Sequence, residues 1–167
     1  IIREKRLRAA GVLGLLPADS EHDDIRLYAA EDRETKAFTI HTLRRQIPIA
    51  PGRPLPALAD FVAPRVSGKR DYAGCFAVTA GIGLSDLVEE YDRKGDDYGA
   101  IMAKVLADRL SEAYAERLHE RVRKEFWGYS PEEDLDNKSL FAVKYRGIRP
   151  APGYPACPDH SEKFPLF

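Results

Sequence analysis

The feature that most restricts the fold of this chain is a proline-rich segment near its C-terminal end, Arg149–Pro158. Prolines occupy positions 150, 152, 155 and 158 of this segment. Each proline lacks a backbone N–H and fixes φ at about −65°, so no helix and no central sheet strand can run through it. The segment is therefore expected to be a stiff, polyproline-like strip that offers carbonyl acceptors. A second proline cluster, Pro48–Pro56, predicts an irregular loop.

Short apolar or alternating segments in the first half of the chain predict β-strands. These segments are Val12–Leu16, closed by Pro17–Ser20, and then Ile25–Tyr28, Lys36–Leu43 and Gly74–Ala80. Lys36–Leu43 is expected to pair with Ile25–Tyr28 as a hairpin across Glu31–Glu34. Gly74–Ala80 is continuously apolar, which predicts a central strand buried on both faces.

The second half of the chain predicts helices. Ser85 or Asp86 is expected to cap one helix that ends at about Lys94, and Asp96 or Asp97 is expected to cap a much longer one. The apolar residues of the long helix recur at helical spacing: Tyr98, Met102, Val105, Leu106, Leu110, Ala113, Tyr114, Leu118, Val122 and Phe126. Strands followed by a helical block indicate an α+β fold.

Two further helices are predicted from their end signals. The charged stretch Ile1–Ala10 is expected to be the tail of a helix that Gly11 terminates. Ser130–Glu133 combines a serine cap, a proline at the first helical position and a capping-box glutamate. That helix is expected to end near Tyr145, with Gly147 as its stop signal.

The composition excludes several classes of protein. The formal net charge is −1, which gives no overall field for nucleic acid or for an anionic membrane. No apolar run approaches the roughly 20 residues that span a bilayer. Cys75 and Cys157 are too few for a disulfide framework and are typical of a reducing compartment, so a cytoplasmic location is expected.

Familiar nucleotide and metal motifs are incomplete. Gly81-Ile-Gly83 lacks the third glycine of a dinucleotide loop, and Arg123 stands where a zinc-protease helix beginning at His119 needs its second histidine. His119 is therefore expected to be a surface or packing residue. Cys157 and His160 could supply two metal ligands or an imidazole-activated thiolate. Two ligands do not make a zinc site, so a structural role is the favoured interpretation and no metal site is expected.

The proline-rich segment also carries the side chains best suited to binding. Arg149 offers a fork for a carboxylate or phosphate, Gly153 permits close approach to the main chain, and Tyr154 offers a ring face and a hydroxyl. Together they suit a ligand with an anionic end and a flat heterocycle, and a sulfonium cation would also be attracted to the ring face. The alternative is a simple connector in which Arg149 pairs with a nearby carboxylate.

The string from Tyr145 to Lys163 closely resembles the signature of the S-adenosylmethionine-binding reactivation domain of cobalamin-dependent methionine synthase. Other blocks resemble that domain in the same order: Gly14–Ser20, Asp23–Ile25, Leu58–Pro64, Phe76–Thr79, Asp96–Tyr98, Ala107–Leu110, Leu118–Arg123 and Phe126–Tyr129. The resemblance covers essentially the whole of residues 1–167, and a string with four fixed prolines is highly specific.

The resemblance implies a single C-shaped α+β domain with a central antiparallel sheet and long helices, which binds S-adenosylmethionine in a shallow groove. The family's enzyme transfers methyl from 5-methyltetrahydrofolate to homocysteine through cobalamin. When cobalamin is oxidised to cob(II)alamin, a flavodoxin-type reductant supplies an electron and S-adenosylmethionine supplies a methyl group. The chain is thus expected to be part of a methyltransferase and to support this reactivation.

The resemblance also implies the site residues. Arg149 would hold the methionyl carboxylate, and Ala151 and Gly153 would contact the ligand through their backbones. Tyr154 would lie near the adenosyl group and face the cobalamin. Glu112 would help to place the ligand or Tyr154, with a solvated helix charge as its alternative. Val143 stands where some members have a glutamate, and no catalytic residue is implied.

The implied partners are the cobalamin-binding domain of the same enzyme, which would hold most of the cobalamin, and the flavodoxin-type reductant. Neither nucleic acid nor a membrane is expected as a partner. The chain is expected to be truncated at both ends, because the family's ligand-contacting aspartate lies upstream of residue 1 and a groove-closing segment lies beyond residue 167. Alone it is therefore expected not to be catalytic. The alternative function is a stand-alone corrinoid-reactivation or docking module that serves another corrinoid protein.

Overall fold

A computed structural model describes residues 4–47, 50 and 52–166 of the chain. Within these residues the strands are β1 (Arg8–Glu21), β2 (Asp24–Tyr28), β3 (Lys36–His41) and β4 (Asp71–Ile82). The α-helices are α1 (Leu84–Arg93), α2 (Asp97–Arg121), α3 (Asn137–Phe141) and α4 (Lys163–Leu166). Shorter turns of helix are Leu58–Phe61, Arg65–Ser67, the π-helical Val122–Phe126 and His160–Glu162. The predicted α+β class is confirmed.

The four strands form one sheet in the order β3-β2-β1-β4. β2 pairs antiparallel with both β1 and β3, so the predicted hairpin is confirmed. The predicted central strand is the last in this order, and most of its residues are only partly buried. The prediction that β4 is a central strand buried on both faces was therefore wrong, because an apolar run does not itself determine a strand's position in the sheet.

The predicted N-terminal helix was wrong for its described part. Residues 8–10 already belong to β1, which continues through Pro17 to Glu21, while residues 1–3 lie outside the described residues. The charge that suggested a helix has a tertiary partner, since Arg6 donates to Glu90 of α1 at 2.6 Å. The Pro48–Pro56 loop prediction agrees with residues 50 and 52–56, which lie in neither helix nor strand, whereas Pro48, Ile49 and Pro51 lie outside the described residues.

The chain divides into two compact units, which are described separately. The first comprises Ile1–Leu13 and Phe76–Gly147, and the second comprises Gly14–Cys75 and Ile148–Phe167. The core of the second unit lies where β1 and β2 pair, because Ala18 and Leu27 are opposite each other and both are fully buried. Ile25, Ala59 and Val62 complete this cluster.

In the first unit, the first half of α2 buries a stripe of small residues, and near the end of the helix Leu118 and His119 are buried too. Ala100, Ala103 and Ala107 are at most 4% exposed, and Leu87 of α1 is also buried. Several residues of the predicted apolar face are exposed instead: Tyr98, Met102, Val105, Leu106, Leu110 and Phe126. Helical spacing identified the helix correctly, and Leu118 and Val122 of the predicted apolar face are buried. In the first half of α2, however, the predicted face was wrong, because the small residues occupy the buried positions there.

The helix ends show which cap signals were decisive. Asp96 accepts a hydrogen bond from the Gly99 N–H at 2.8 Å and begins α2 as predicted. α1 begins two or three residues earlier than expected, after Gly83 rather than after Ser85 or Asp86. No helix of the described residues is both long enough and apolar enough to cross a membrane.

The helix predicted to begin at Ser130 was wrong. α3 begins at Asn137, where Asp136 caps it by accepting the Ser139 N–H, and it ends at Phe141. Glu133, the supposed capping-box residue, instead receives hydrogen bonds from the buried Arg123 at 2.9 Å and 3.1 Å from Nε. The long-range ion pair therefore prevails over the local cap.

Candidate functional site

The proline-rich segment folds into two successive β-turns rather than an extended strip. In the first, the Tyr154 N–H donates to the Ala151 carbonyl at 3.2 Å, and in the second the Cys157 N–H donates to the Tyr154 carbonyl at 2.9 Å. Each turn has proline at its second position, where a φ of about −65° is required. Gly153 is the third residue of the first turn, and its φ of 100° fits a type II turn. The polyproline-like prediction was wrong.

Gly153 is constrained by its surroundings as well as by its φ. Its N–H donates to the Cys157 carbonyl at 2.8 Å, which closes the second turn onto the first. A Cβ at this position would lie 2.2 Å from Cε1 and 2.6 Å from Nε2 of His160. The imidazole therefore occupies the space in which any side chain of residue 153 would have to begin.

The residues after the turns anchor them within the second unit. Cys157 is 4% exposed, and burial, followed by the nearby Glu162 and Asp159 carboxylates, raises the pKa of its thiol. Asp159 accepts the Ser161 N–H at 2.8 Å, and this bond lowers its pKa. The buried Glu162 accepts the His41 N–H of β3 at 3.1 Å. This environment disfavours a thiolate and fits the structural role predicted for Cys157.

Three of the predicted ligand residues, Ala151, Gly153 and Tyr154, lie on this double turn and are exposed, Tyr154 by 67%. Arg149 precedes the double turn by two residues and is half-buried. The Ala151 carbonyl and the Gly153 N–H already take part in the turns. Ligand contacts through these two backbones would therefore use the Ala151 N–H and the Gly153 carbonyl.

Glu112 belongs to the other unit, on α2. It forms an exposed ion pair with Arg109 at 2.7 Å, and 62% of its side chain is accessible. This environment matches the alternative of a solvated helix charge, and a ligand contact by Glu112 stays a prediction.

Two local features of the site were not recognised from the sequence. Glu162 accepts a hydrogen bond from His41, which lies 121 positions earlier in the chain, and the His160 ring packs against Gly153. No local sequence pattern predicts either contact. The turn at Asp159 could have been predicted, because an aspartate side chain commonly accepts a hydrogen bond from the backbone N–H two residues later. His119 is 4% exposed and packs edge-on against Tyr145, which confirms its predicted packing role.

Two cavities lie elsewhere in the described structure. One, of about 320 Å³ in the first unit, is mainly apolar and includes Leu110, Ala113 and Tyr114 in its lining. The other, of about 330 Å³ in the second unit, is lined in part by Arg33, Arg65, Lys69 and Arg70. Neither of these two cavities is lined by the residues predicted to bind a ligand.

The comparisons with known proteins agree on one family. The family model for "Vitamin B12 dependent methionine synthase, activation domain" matches residues 1–167. A solved structure, "Crystal Structure of the MetH Reactivation Domain bound to AdoHcy", is 52% identical with a TM-score of 0.92. That match covers 98% of this chain and 50% of the other, so the chain spans about half the length of that domain structure. The chain therefore belongs to the family of vitamin B12-dependent methionine synthase activation domains.

Proposed function

We propose that the double turn of residues 151–157, together with Arg149 just before it, binds S-adenosylmethionine and that the domain thereby supports the reactivation of cobalamin in methionine synthase. The observation that carries this proposal is the hydrogen-bonded double turn that begins two residues after Arg149 in the chain and presents Gly153 and Tyr154 at the surface. The likeness to a reactivation domain bound to AdoHcy supports the choice of ligand, because AdoHcy is the demethylated form of the same molecule.

Each residue has a role suited to its chemistry. Arg149 would pair its planar guanidinium with the ligand's carboxylate, an arrangement that allows two parallel hydrogen bonds. The Ala151 N–H and the Gly153 carbonyl would bond the ligand's polar edges. The exposed ring of Tyr154 would stack against the adenosyl group on one side and face the corrin on the other.

The proposed methyl transfer requires little of the protein beyond the alignment of the two reactants. Reduced cobalamin, which would be held mainly by another domain of the enzyme, would supply the nucleophile for the methyl group of S-adenosylmethionine, and S-adenosylhomocysteine would be the leaving group. Since that step needs no general base, the residues named here bind and orient the methyl donor and no acid–base pair is required. Alignment of two reactants is itself a large source of rate acceleration. Alone, this chain would bind without catalysing, and a flavodoxin-type protein of the cytoplasm would supply the electron.

Titration calorimetry of the full-length protein with S-adenosylhomocysteine tests the proposal. Arg149→Ala is expected to weaken binding by at least about tenfold, because a charge-assisted hydrogen bond contributes roughly 1.5–3 kcal/mol. Arg53→Ala, which removes an exposed arginine of the same unit, is the matched control and is expected to bind as the unaltered protein does. An absence of saturable binding, or equal affinities for the Arg149→Ala and unaltered proteins, would overturn the proposal.

A further inference from the structure

We infer that His160 is a positioning residue for the turn formed by residues 151–154, which it supports through its ring beneath Gly153. The inference rests on the proposed function, since it concerns the same binding surface. It assigns His160 no contact with the ligand. The role is to hold the peptide groups on either side of Gly153 in the orientation that the ligand meets.

The first line of support is the approach of the ring to Gly153. The ring atoms Cε1, Nε2 and Nδ1 of His160 lie 2.2, 2.6 and 3.0 Å from the place that a Cβ of residue 153 would occupy, so the ring packs closely against the Gly153 α-carbon. Gly153 adopts a φ of 100°. Glycine visits many backbone states at similar energy, so the residue type itself does little to hold the backbone at this φ. The restraint on this turn comes from its own hydrogen bonds and from its neighbours, and the His160 imidazole is in contact with Gly153.

The second line of support is that His160 is itself held in place. The Lys163 Nζ lies 3.1 Å from its Nδ1. An ammonium group can only donate, so a hydrogen bond between these two atoms requires Nδ1 as its acceptor. Asp159 caps the short helical turn that carries the histidine, and Glu162 ties this turn to β3 through the His41 N–H. The ring is therefore connected to the sheet rather than to a free loop.

This arrangement accounts for ligand affinity through pre-organisation. Removing the ring would leave a gap beneath Gly153 and allow the 152–153 and 153–154 peptides to reorient. Binding would then have to order them again, and that ordering reduces affinity without removing a direct contact. The ring's shape performs this role, so another flat ring of similar size should substitute for it.

Calorimetric titration of the full-length protein with S-adenosylhomocysteine tests the inference, together with thermal unfolding of each variant. His160→Ala is expected to weaken binding by about tenfold while shifting the unfolding midpoint by no more than about 2 °C, since residue 160 is exposed. His160→Phe, which keeps a flat ring, is expected to restore affinity to within about threefold of the unaltered protein. His41→Ala removes another exposed histidine of the same unit, whose ring meets Asp24, and is expected to bind normally.

The outcomes separate this inference from the proposed function. Normal binding by His160→Ala, combined with weak binding by Arg149→Ala, would overturn the positioning role and leave the ligand site intact. Failure of His160→Phe to restore affinity would also overturn it, because the ring's shape would then not be the cause. Normal binding by Arg149→Ala would instead remove the proposed function.

Discussion

Arg123 and Glu133 form an ion pair from which solvent is almost wholly excluded. Their side chains are 0% and 9% accessible, and the guanidinium also lies 4.3 Å from the centre of the Tyr145 ring. The Arg123 Nη1 donates to His119 Nδ1 at 2.9 Å. The network joins the end of α2 to the irregular segment before α3 and contains the largest fully buried side chain among the described residues.

Glu133→Gln is expected to lower the free energy of unfolding by about 3–5 kcal/mol, because it leaves the Arg123 charge buried without its counter-ion. Glu112→Gln breaks the exposed pair with Arg109 and is expected to change the same quantity by less than about 1 kcal/mol. Urea denaturation of both variants measures the difference. Equal losses of stability would show that the burial of the Arg123 pair has no energetic consequence.

This ion pair is a part of the structure that the sequence patterns did not predict. The Asp96 cap and the β2–β3 hairpin were predicted correctly because each is determined by residues close together in the chain. Glu133 was assigned to a local capping box, but its partner lies in another part of the first unit. A sequence pattern cannot rank a local cap against a tertiary ion pair that it does not contain.

The candidate site was predictable to a similar extent. Its residues Arg149, Gly153 and Tyr154 were identified from their side-chain chemistry and from the family resemblance. The first turn could have been predicted, since proline followed by glycine at the two central positions of four residues favours a type II turn. The four prolines of the segment suggested an extended strip instead. The contact between Gly153 and His160 could not be foreseen, because it depends on how the turn folds back.

Gly153→Ala is expected to lower the free energy of unfolding by more than Gly68→Ala does. Both residues have positive φ, which costs an L-residue roughly 1–2 kcal/mol, but a Cβ at Gly68 meets nothing within 4 Å. Part of this excess is the collision with the His160 ring. That part should disappear when Gly153→Ala is introduced into His160→Ala, and thermal denaturation of the unaltered protein, the two single variants and the double variant measures the coupling. An excess that is undiminished without the ring would contradict this explanation.

The Arg44–Asp60 pair predicts an acid-dependent contribution to stability. Hydrogen bonds from Arg44 and from the Ala57 N–H lower the pKa of Asp60 from 3.8 to about 2. A carboxyl whose folded pKa is depressed stabilises the fold above its unfolded pKa, and the contribution is lost as the pH falls through the folded value. The window here is therefore between 3.8 and about 2.

Asp60→Asn is accordingly expected to lower the urea midpoint at about pH 6 and to have little effect at about pH 2. The side chain of Asp60 is 45% accessible, so added salt should reduce the difference at the higher pH. Asp134→Asn replaces an exposed aspartate of the other unit and serves as the control. A difference between Asp60→Asn and the unaltered protein that is the same at both pH values would contradict the assignment.

The two faces of α2 can be distinguished by one substitution made at two positions. Ala103 is 1% exposed, so Ala103→Leu must place three additional carbon atoms in a filled core and is expected to lower the free energy of unfolding by about 1–3 kcal/mol. Ala113 is exposed and lines the apolar cavity of the first unit, where Ala113→Leu has space and should cost less than about 0.5 kcal/mol. The apolar face expected from the sequence includes Ala113 but not Ala103, so it predicts the opposite order. Urea denaturation of the two variants therefore decides between a core formed by the large residues of α2 and one formed by its alanines.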